Sequence, residues 1–581
     1  MNNKIKKQLA HDIFTVFANT LLDFEKIQKL LEKPKDPSMG QLSLPVFLLA
    51  KELKKAPPVI AAEYASKISD IKIKYLQNCE SVSGFINFKF TSEFLMLELQ
   101  GLLGQEDTGY GDQGKGKRLV IDYSSPNVAK PMNIGHLRAT VIGQAIRNLA
   151  ASQGFEVIGL NHLGDWCVQF GKLAWAYQQW KSEYDFEKKP FKSLFDMYVR
   201  FHDEAEKNPE YDEHGAATFR KLEAGDQEVT DLWKMFVEIS LKEYQHLWDR
   251  LGVKHDLVRG ESFYSDQLEG TVQKIKDQGL LKLSQGAYVV EVGEDVPPCL
   301  ITKSDGASLY ATRDLASAIY RHDVLKCDVN LYVVGVDQTL HFNQVFKVLE
   351  LMGYEWAKDC HHISFGMYRF KNIGKMSTRK GRAIFLEDVL NKSVELAKEI
   401  IQEKNPDLKD KDTVAEQVGV GAIIFNDLIN DRVRDVDFDW DRILDFEGDS
   451  GPYIQYSAVR CKSVLRKYKT QHNISDMDFE QSMSKFDVSE VELEIEELNL
   501  CSLLLGYSQI LADSYDKFKP SILASYVLDV ARTYNGFYNK LRILNADQTS
   551  DIEKRIYLTY SANKVLTEGL KMLNIQTPEE M

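Results

Sequence analysis

Short apolar runs alternate with longer amphipathic segments through the middle of this chain. Runs of about four to eight mostly apolar residues predict strands, and apolar residues that recur every three or four positions predict helices. Strand candidates lie at 119–123, 156–160, 331–335 and 362–368. After the first of them, one face of a predicted helix carries Leu137, Val141, Ile142, Ala145 and Leu149. This alternation predicts an α/β domain with a doubly wound parallel sheet, whose ligands bind at the carboxyl ends of the strands.

The pattern is different before this region and within it. Residues 1–105 combine a helical period with an alternating segment at 84–90, which predicts a separate α+β domain. A stretch rich in glycine and acids, 104–116, follows and marks a boundary. Residues 174–296 are too many for one crossover between strands, and their charged helical pattern predicts an insertion made of helices.

The last third of the chain reads as helix after helix. Pro452 and Pro520 stand where a first helical turn accommodates proline. We therefore expect four regions: an N-terminal α+β domain at 1–105, the α/β domain at 106–385, a helical connecting region at 386–450 and an all-α bundle at 451–581.

Composition argues against membrane-spanning, secreted and disulfide-rich classes of protein. A chain of 581 residues with 44% hydrophobic and 27% charged residues is long enough for several ordinary domains. The sequence has no apolar run long enough to span a bilayer and no signal-peptide pattern, so we expect a cytoplasmic protein without membrane association. Its seven cysteines are scattered singly, which argues against disulfides, structural zinc and a dedicated metal site. The net charge of −14 does not exclude RNA, because phosphate contacts need only a local basic surface.

Two segments carry most of the candidate chemistry. Residues 124–138 read Ser-Ser-Pro-Asn-Val-Ala-Lys-Pro-Met-Asn-Ile-Gly-His-Leu-Arg and join the first strand to its helix, a geometry that presents backbone N–H groups to phosphate. Residues 374–381 read Gly-Lys-Met-Ser-Thr-Arg-Lys-Gly, a basic loop. Alone, each is commonly structural, the first as a capped turn and the second as a solvated loop. Together they predict a triphosphate held from two sides, by Gly135, His136, Lys375 and Lys380.

The longer strings resemble the arginyl-tRNA synthetases, members of the class I aminoacyl-tRNA synthetases with their HIGH and KMSKS signatures. Asn133-Ile134-Gly135-His136 resembles the first signature and Lys375-Met376-Ser377-Thr378 the second. The more specific strings are Ser-Ser-Pro-Asn-Val-Ala-Lys at 124–130, Asn-His-Leu-Gly-Asp-Trp at 161–166, Leu-Tyr-Ala-Thr-Arg-Asp-Leu-Ala at 309–316 and Tyr-Ile-Gln-Tyr-Ser at 453–457. Asn133 replaces the first signature histidine and Thr378 the second lysine, departures expected to affect rate rather than reaction class.

The resemblance implies a reaction, its substrates and its partners. Arginine is activated with ATP to arginyl adenylate and transferred to the terminal ribose of arginine tRNA. Mg²⁺ accompanies the nucleotide without dedicated protein ligands. The resemblance further implies that activation depends on bound tRNA, that the protein is a monomer and that the N-terminal domain contacts the tRNA elbow. A pocket built of hydrogen bonds to acids rejects analogues that leave those acids unpaired, so we expect no editing domain.

The resemblance also implies site residues, which match this chain position by position. The implied catalytic and ATP-binding residues, in the signature region from Pro126 to His136 and in the second signature, are Lys130, Asn133, Gly135, His136, Lys375, Met376, Ser377 and Lys380. The implied adenosine-binding residues are Asp337, His341 and Gln344. The implied arginine-binding residues are Asp122, Asn127, Tyr310, Asp314 and Gln338, since carboxylates match the planar donors of a guanidinium.

One predicted helix of the last region has a basic face. Lys462, Arg466 and Lys469 recur three and four positions apart, and nearby tyrosines offer rings on which unpaired bases stack. The residues alone fit a solvated amphipathic helix equally well. The family resemblance favours binding of the tRNA anticodon arm, by Tyr453, Tyr456, Arg460, Lys462 and Arg466.

Three other functions are considered. A class I synthetase for another amino acid would share the phosphate-binding residues but would not need acids at Asp122 and Asp314. A small-molecule nucleotidyltransferase of the same superfamily would lack the helical last third. A non-catalytic RNA-binding paralogue would be expected to have lost the phosphate-binding residues, yet Lys130, His136 and Lys375 are present. The enzyme is therefore the favoured interpretation.

Overall fold

The N-terminal unit is a small α+β domain. The computed structural model describes residues 3–104, 107–294, 296–303, 309–369 and 384–581, except for the side chains of Pro37 and Asp441. The elements of this unit are α1 (Asn3–Ile13), α2 (Phe24–Leu30), β1 (Leu42–Pro45), α3 (Ala50–Leu53), α4 (Pro57–Asp70), β2 (Leu76–Val82), β3 (Phe85–Phe90) and α5 (Ser92–Leu103). Its strands form an antiparallel sheet in the order β1-β3-β2, and the predicted alternating segment is the central strand β3.

The central unit contains the parallel sheet. Its elements are β4 (Arg118–Asp122), α6 (Ile134–Ser152), β5 (Glu156–Asn161), α7 (Val168–Trp180), α8 (Pro190–Lys207), α9 (Glu210–Glu223), α10 (Gln227–Arg250), β6 (Leu257–Val258), α11 (Leu268–Asp277), β7 (Leu281–Ser284), β8 (Ala287–Val290), β9 (Cys299–Lys303), α12 (Tyr310–Asp323), β10 (Val329–Tyr332), α13 (Thr339–Leu351), β11 (Cys360–His362) and β12 (Tyr368–Arg369). Five strands pair in parallel in the order β11-β10-β4-β5-β6. Because the connections run outward in opposite directions from β4 and β10, the loops after these two strands diverge and leave a crevice.

Strand β4 shows why the sheet is buried on both faces. Leu119 and Ile121 belong to the large core shared with α6, whereas Val120 packs on the other face with Leu160 and Cys327. Successive side chains of a strand point to opposite faces, so a sheet covered on both sides reads as a continuous apolar run. This confirms the doubly wound α/β prediction.

Close packing holds α6 against the sheet. A Cβ atom on Gly143 would lie 2.3 Å from the Cβ of Tyr123, so a side chain at Gly143 would push the helix away from the end of β4. The opposite side of α6 contacts helices of the C-terminal part of the chain. The helix that begins at the first signature is therefore enclosed by two parts of the protein.

The inserted region is helical only in its first part. Helices α7 to α10 pack on one another up to Arg250, after which the chain returns to the sheet as β6. Strands β7, β8 and β9 then form an antiparallel sheet that the helical prediction did not include. Gln285 and Gly286 join β7 to β8 with φ of 49° and 79°, the two-residue hairpin turn that favours glycine. This Gln-Gly pair was the available sequence signal.

The predicted strand at 362–368 is also corrected. Regular pairing with β10 ends at His362, and the chain then turns toward the C-terminal part. The Gly366 N–H donates to the Arg432 carbonyl at 2.9 Å, and β12 pairs with a strand of that part at Val436 and Asp437. Backbone partners supplied by distant residues, which periodicity does not reveal, end the strand early.

The remaining chain is almost entirely helical, as predicted. Its elements are α14 (Leu386–Lys404), α15 (Lys411–Leu428), β13 (Val436–Asp437), α16 (Trp440–Ile443), α17 (Gly451–His472), α18 (Asp476–Ser484), α19 (Ile495–Leu504), α20 (Tyr507–Asp516), α21 (Pro520–Lys540) and α22 (Thr549–Met572). Pro452 and Pro520 lie in the first turns of α17 and α21, where their missing N–H groups need no helical acceptor. Among the described residues, no helix combines the length and apolarity needed to cross a membrane.

Candidate nucleotide and amino-acid site

The first turn of α6 is closed by a reciprocal cap. Asn133 is the N-cap residue, and its side-chain oxygen accepts a hydrogen bond from the Gly135 N–H at 2.9 Å. In return, the Asn133 N–H donates to Nδ1 of His136 at 3.0 Å. The residue that departs from the family signature therefore stabilises the start of the helix, and its side-chain oxygen is committed to that cap.

The cap changes the expected role of the helix N-terminus. The Ile134 N–H donates to the Ile384 carbonyl at 3.1 Å and the His136 N–H to the Asn133 carbonyl at 2.9 Å, while Gly135 donates within the cap. The sequence predicted that backbone N–H groups here would bind phosphate, but these three already have acceptors. Phosphate contact at this turn is therefore left to side chains and to the helix dipole.

His136 is a neutral hydrogen-bond donor. A backbone N–H can only donate, so Nδ1 is the acceptor and the proton of the neutral ring lies on Nε2. Burial lowers the pKa of His136 to about 4, and the nearby charge of Lys130 acts in the same direction. The sequence left the ring's charge open, whereas the structure keeps the ring uncharged at pH 7 with Nε2–H able to donate.

Helix α10 of the insertion holds the loop that precedes α6. The Tyr244 hydroxyl donates to the carbonyls of Asn127 and Lys130 at 2.7 and 2.8 Å. Ser240 Oγ accepts from the Ala129 N–H at 3.0 Å. Ala129 has φ of 61°, a left-handed conformation that persists only where surrounding contacts enforce it. The insertion thus shapes the signature loop, a role that its charged helical pattern did not reveal.

Asp122, predicted to bind the arginine substrate, is held by two partners within the protein. Its side chain is 9% exposed, one oxygen accepts from Arg321 Nη2 at 2.7 Å, and the other accepts from Ser125 Oγ at 2.9 Å. Burial opposes ionisation, but Arg321 outweighs it and lowers the pKa of Asp122. The charge of Asp122 is therefore already matched by a buried guanidinium, and its predicted contact with the arginine substrate stays a prediction.

Asp314 and His341 come together as a pair. Asp314 lies one turn into α12 and His341 lies in the first turn of α13, and Nε2 of the histidine is 2.6 Å from Oδ2 of the acid. These residues were predicted to bind different substrates, arginine and adenosine. The contact links the two predicted subsites at the carboxyl edge of the sheet.

The other residues predicted to lie in the crevice differ in how exposed their side chains are and in their hydrogen-bond partners. Tyr310 is 65% exposed at the start of α12. Gln338 donates to its exposed neighbour Asp337 at 3.0 Å in the turn after β10. Gln344 instead donates to the carbonyls of Pro297 and Pro298 at 2.7 and 3.2 Å. Gln344, which was predicted to bind adenosine, therefore uses its side-chain nitrogen to hold the segment before β9.

The next predicted residues belong to the second signature. Lys375, Met376, Ser377 and Lys380 lie outside the described residues. At the start of α14, the Leu386 N–H donates to the Met132 carbonyl at 2.9 Å, beside the first signature. In the described part, the ammonium of Lys130 lies 5.2 Å from the ring centre of Tyr198 on α8.

Two further acids lie beside this crevice and were not identified from the sequence. Glu261 follows β6 and lies 3.5 Å from Arg313, the neighbour of Asp314. Asp165 follows β5 and accepts from the N–H and hydroxyl of Ser262 at 2.9 and 2.6 Å. Asp314, Asp165 and Arg313 all lie close enough to influence the pKa of Glu261, so the three acids form one electrostatically coupled group. The position of Glu261 and Asp165 after parallel strands was the available signal.

Glu261 yields a prediction about pH. Burial raises its pKa to about 7, against the attraction of Arg313, from an ordinary value of 4.5. The folded protein therefore holds this proton more tightly than the unfolded chain, and stability is lost as pH rises from 4.5 toward 7. We expect Glu261→Gln to be more stable than the unmodified protein at pH 8, by roughly 1–3 kcal/mol, and to gain nothing near pH 4.5.

Thermal unfolding midpoints at the two pH values measure this difference. Glu238→Gln is the matched control, because Glu238 is a surface acid bonded to Lys242, and this bond lowers its pKa. The control should gain no stability at pH 8. An equal response of both variants would contradict the assignment of a buried, protonated Glu261.

The predicted RNA-contacting residues lie on α17, in the helical bundle. The guanidinium of Arg460 is 4.9 Å from the ring centres of both Tyr456 and Tyr538 and donates to Asn535 at 2.5 Å. Tyr453, Tyr456 and Arg460 line a cavity of about 490 Å³. Lys462 and Arg466, farther along the helix, instead contact acidic residues. The five predicted residues therefore divide into a ring-lined cavity and an ion-paired face.

The sequence matches known protein families along most of its length. Family models match for the class I (R) tRNA synthetase catalytic domain over residues 98–440, the DALR anticodon binding domain over 454–581 and the arginyl tRNA synthetase N terminal domain over 3–90. An arginine–tRNA ligase of Clostridium botulinum (strain 657 / Type Ba4) is 44% identical over 569 residues, covering 97% of this chain and 98% of that protein. One of Halothermothrix orenii is 43% identical over 563 residues, covering 96% and 97%.

Solved structures show the same fold. Thermus thermophilus arginyl-tRNA synthetase superposes with a TM-score of 0.81 at 24% identity, covering 99% of this chain and 100% of that one. The Plasmodium falciparum arginyl-tRNA synthetase superposes with a TM-score of 0.80 at 24% identity, covering 100% and 98%. From its sequence relatives, its matched domains and its fold, the chain belongs to the arginyl-tRNA synthetase family of class I synthetases.

Proposed function

We propose that this chain is an arginine–tRNA ligase in which His136 and Lys130 bind the phosphates of ATP. The arginine carboxylate attacks the α-phosphorus, the bond to the β-phosphate breaks and pyrophosphate leaves. The terminal ribose hydroxyl of tRNA then attacks the arginyl carbonyl, and AMP leaves. The observation that carries the proposal is the neutral His136, whose Nε2–H lies at the start of α6 beside the crevice between β4 and β10.

The phosphate-binding groups act by electrostatic stabilisation. Negative charge moves onto the departing pyrophosphate, and a donor already oriented by the Asn133 cap needs no reorganisation to meet it. Lys130 adds a positive charge from the loop that α10 holds in place. Lys375 and Lys380 are proposed to act from the second signature, as the family resemblance implies.

Arginine is proposed to bind with its guanidinium toward Asp314. A planar guanidinium pairs with carboxylates, and the neighbouring Glu261, whose pKa is raised to about 7, ionises more readily when a positive charge binds beside it. Tyr310 at the start of α12, Asn127 in the signature loop and Gln338 after β10 are proposed to surround the rest of the substrate. Adenosine is proposed to bind near Asp337 and His341.

Mg²⁺ is proposed to enter with ATP, held by phosphate oxygens. In the described ranges no group of three or more histidine, cysteine or acidic side chains is arranged to hold a metal ion. The monomeric state and the contact of the N-terminal unit with the tRNA elbow are proposed from the family resemblance. The domain boundaries and the cytoplasmic location are proposed from the sequence pattern.

The anticodon arm is proposed to bind on α17. An unpaired base fits the cavity beside Tyr456 and Arg460, where aromatic and guanidinium planes offer stacking surfaces. Stacking on one aromatic ring contributes about 1–3 kcal/mol per base. We therefore expect Tyr456→Ala to raise the KM for arginine tRNA about tenfold in aminoacylation assays, with kcat little changed.

Tyr288→Ala is the control for that variant. Tyr288 lies on β8 and is 38% exposed, close to the 40% of Tyr456, but it belongs to another part of the protein. Its replacement should leave the KM for tRNA unchanged. A similar rise in both variants would mean that the effect does not come from stacking at the cavity.

ATP–pyrophosphate exchange tests the proposed function directly. The assay offers each amino acid in turn, with and without an arginine tRNA transcript. Exchange with arginine alone, and only when tRNA is present, is the expected result. Exchange with another amino acid would contradict the assigned pocket, and tRNA binding without any exchange would indicate a non-catalytic RNA-binding protein.

A further inference from the structure

The basic face of α17 is already matched by acids of the same chain. Lys462 Nζ lies 2.5 Å from Glu579 Oε1, and Arg466 contacts the carboxylate of Glu580. One turn farther, Lys469 Nζ lies 2.5 Å from Asp476 at the start of α18. Each of these three cations therefore has a carboxylate beside it.

The segment after α22 brings two of these acids into position. Gln455 of α17 donates to the Gln576 carbonyl at 2.7 Å. Lys462 donates to the Pro578 carbonyl and Arg466 to the Glu579 carbonyl, both at 3.2 Å. These bonds lay the segment along α17 through its backbone. We call Glu579 and Glu580, the acids that it carries, the acidic clasp.

The acidic clasp can be displaced without disturbing the core. The side chains of Glu579 and Glu580 are 84% and 58% exposed, whereas that of Lys462 is 16% exposed. A cavity of about 1050 Å³, lined by Lys462, Arg466 and Glu579, lies alongside these pairs. Another anion therefore has space to approach the same cations from solvent.

We propose that the acidic clasp competes with RNA phosphates for Lys462 and Arg466 and so weakens RNA binding that relies on phosphates alone. The proposal rests on the proposed tRNA ligase function. An RNA that also places a base in the cavity beside Tyr456 and Arg460 gains contacts that the clasp does not oppose. The clasp thereby increases the dependence of binding on base contacts, the part of an RNA interface that carries sequence information.

The strength of the surface pairs sets the expected effect. Exposed ion pairs contribute about 0.2–1 kcal/mol each, so releasing two cations should strengthen binding of a phosphate-only ligand about 2- to 30-fold. Each freed cation can also displace a counterion from single-stranded RNA, with a slope of about 0.7 per phosphate contact in a plot of log K against log salt. Two freed cations therefore steepen that slope by about 1.4.

The test compares the full chain with the variant Glu579→Gln/Glu580→Gln, which removes charge but keeps the backbone acceptors. Fluorescence anisotropy measures the Kd of a single-stranded oligouridylate and of an arginine tRNA transcript over a range of salt concentrations. We expect tighter oligouridylate binding by the variant, a steeper salt slope and a smaller ratio between its affinities for tRNA and oligouridylate. Unchanged oligouridylate affinity and slope would overturn the proposal.

The matched control, Glu496→Gln/Glu568→Gln, removes the same number of acids, each paired with a lysine elsewhere in the bundle. An equal gain in the control would attribute the effect to net charge and overturn the clasp.

Aminoacylation by the unmodified protein is measured in parallel. Failure to charge tRNA with arginine would refute the proposed function, whereas normal charging with unchanged RNA affinity in the clasp variant would refute the clasp alone. Absence of any RNA binding by the unmodified protein would refute both.

Discussion

Replacing His136 with alanine is expected to lower the rate of arginyl-adenylate formation about 100-fold or more, with the Kd for arginine tRNA unchanged. The variant loses the Nε2–H donor that meets the charge developing on the leaving pyrophosphate. It also loses the acceptor for the Asn133 N–H in the cap of α6, a smaller effect on stability of about 1 kcal/mol. The rate of ATP–pyrophosphate exchange measures adenylate formation, and a separate binding assay measures the Kd for tRNA.

His255→Ala is the matched control for this experiment. Burial lowers the pKa of His255 to about 4 as well, but its Nε2 lies 3.2 Å from the Tyr123 carbonyl and serves packing beside the sheet. Its replacement should reduce stability without a selective loss of exchange. Equal loss of exchange and tRNA binding in His136→Ala would instead indicate that His136 is structural.

Asp427→Asn is expected to lower the free energy of unfolding by about 3–5 kcal/mol. Asp427 is fully buried in α15, and its Oδ2 accepts from Arg138 Nε at 3.1 Å and from the Tyr368 hydroxyl at 2.6 Å. Arg138, in α6, is 1% exposed, so neutralising its partner leaves a buried guanidinium without its matching charge. Urea unfolding, followed by near-ultraviolet circular dichroism, measures the change.

Two further variants separate the charge from the hydrogen bond. Tyr368→Phe removes one hydroxyl donor and should reduce the free energy of unfolding by only about 1 kcal/mol. The double variant Arg138→Met/Asp427→Leu replaces both charges with apolar groups and should recover most of the stability lost in Asp427→Asn. A loss in Asp427→Asn no larger than that in Tyr368→Phe would contradict a strong charge interaction.

This ion pair illustrates what periodicity cannot predict. Arg138 and Asp427 are 289 positions apart, and each lies in a helix whose apolar pattern is read without reference to the other. The same applies to Asp122 and Arg321, which are 199 positions apart. The sequence predicts Asp122 as a ligand for the arginine substrate, because the residues near it in the chain do not reveal that Arg321 already pairs with its carboxylate.

The local conformation of the signature segment was also only partly predictable. The strand, the turn and the helix after it follow from residue patterns within about thirty positions. The engagement of the helix N–H groups depends on the Ile384 carbonyl, and the shape of the loop depends on Ser240 and Tyr244 of the insertion. A motif therefore predicts where in the chain the site lies but not which atoms are free to bind phosphate.

By itself the sequence determined the class of fold, the order of its parts and the family, because local apolar periodicity and short contiguous motifs are properties of neighbouring residues. Only the tertiary structure decided that His136 is neutral, that Asp122 pairs with Arg321, that Gln344 holds the segment before β9, and that acids cover the basic face of α17. Charge, protonation and hydrogen-bond occupancy depend on groups brought together through space by folding, and a one-dimensional pattern does not contain those distances.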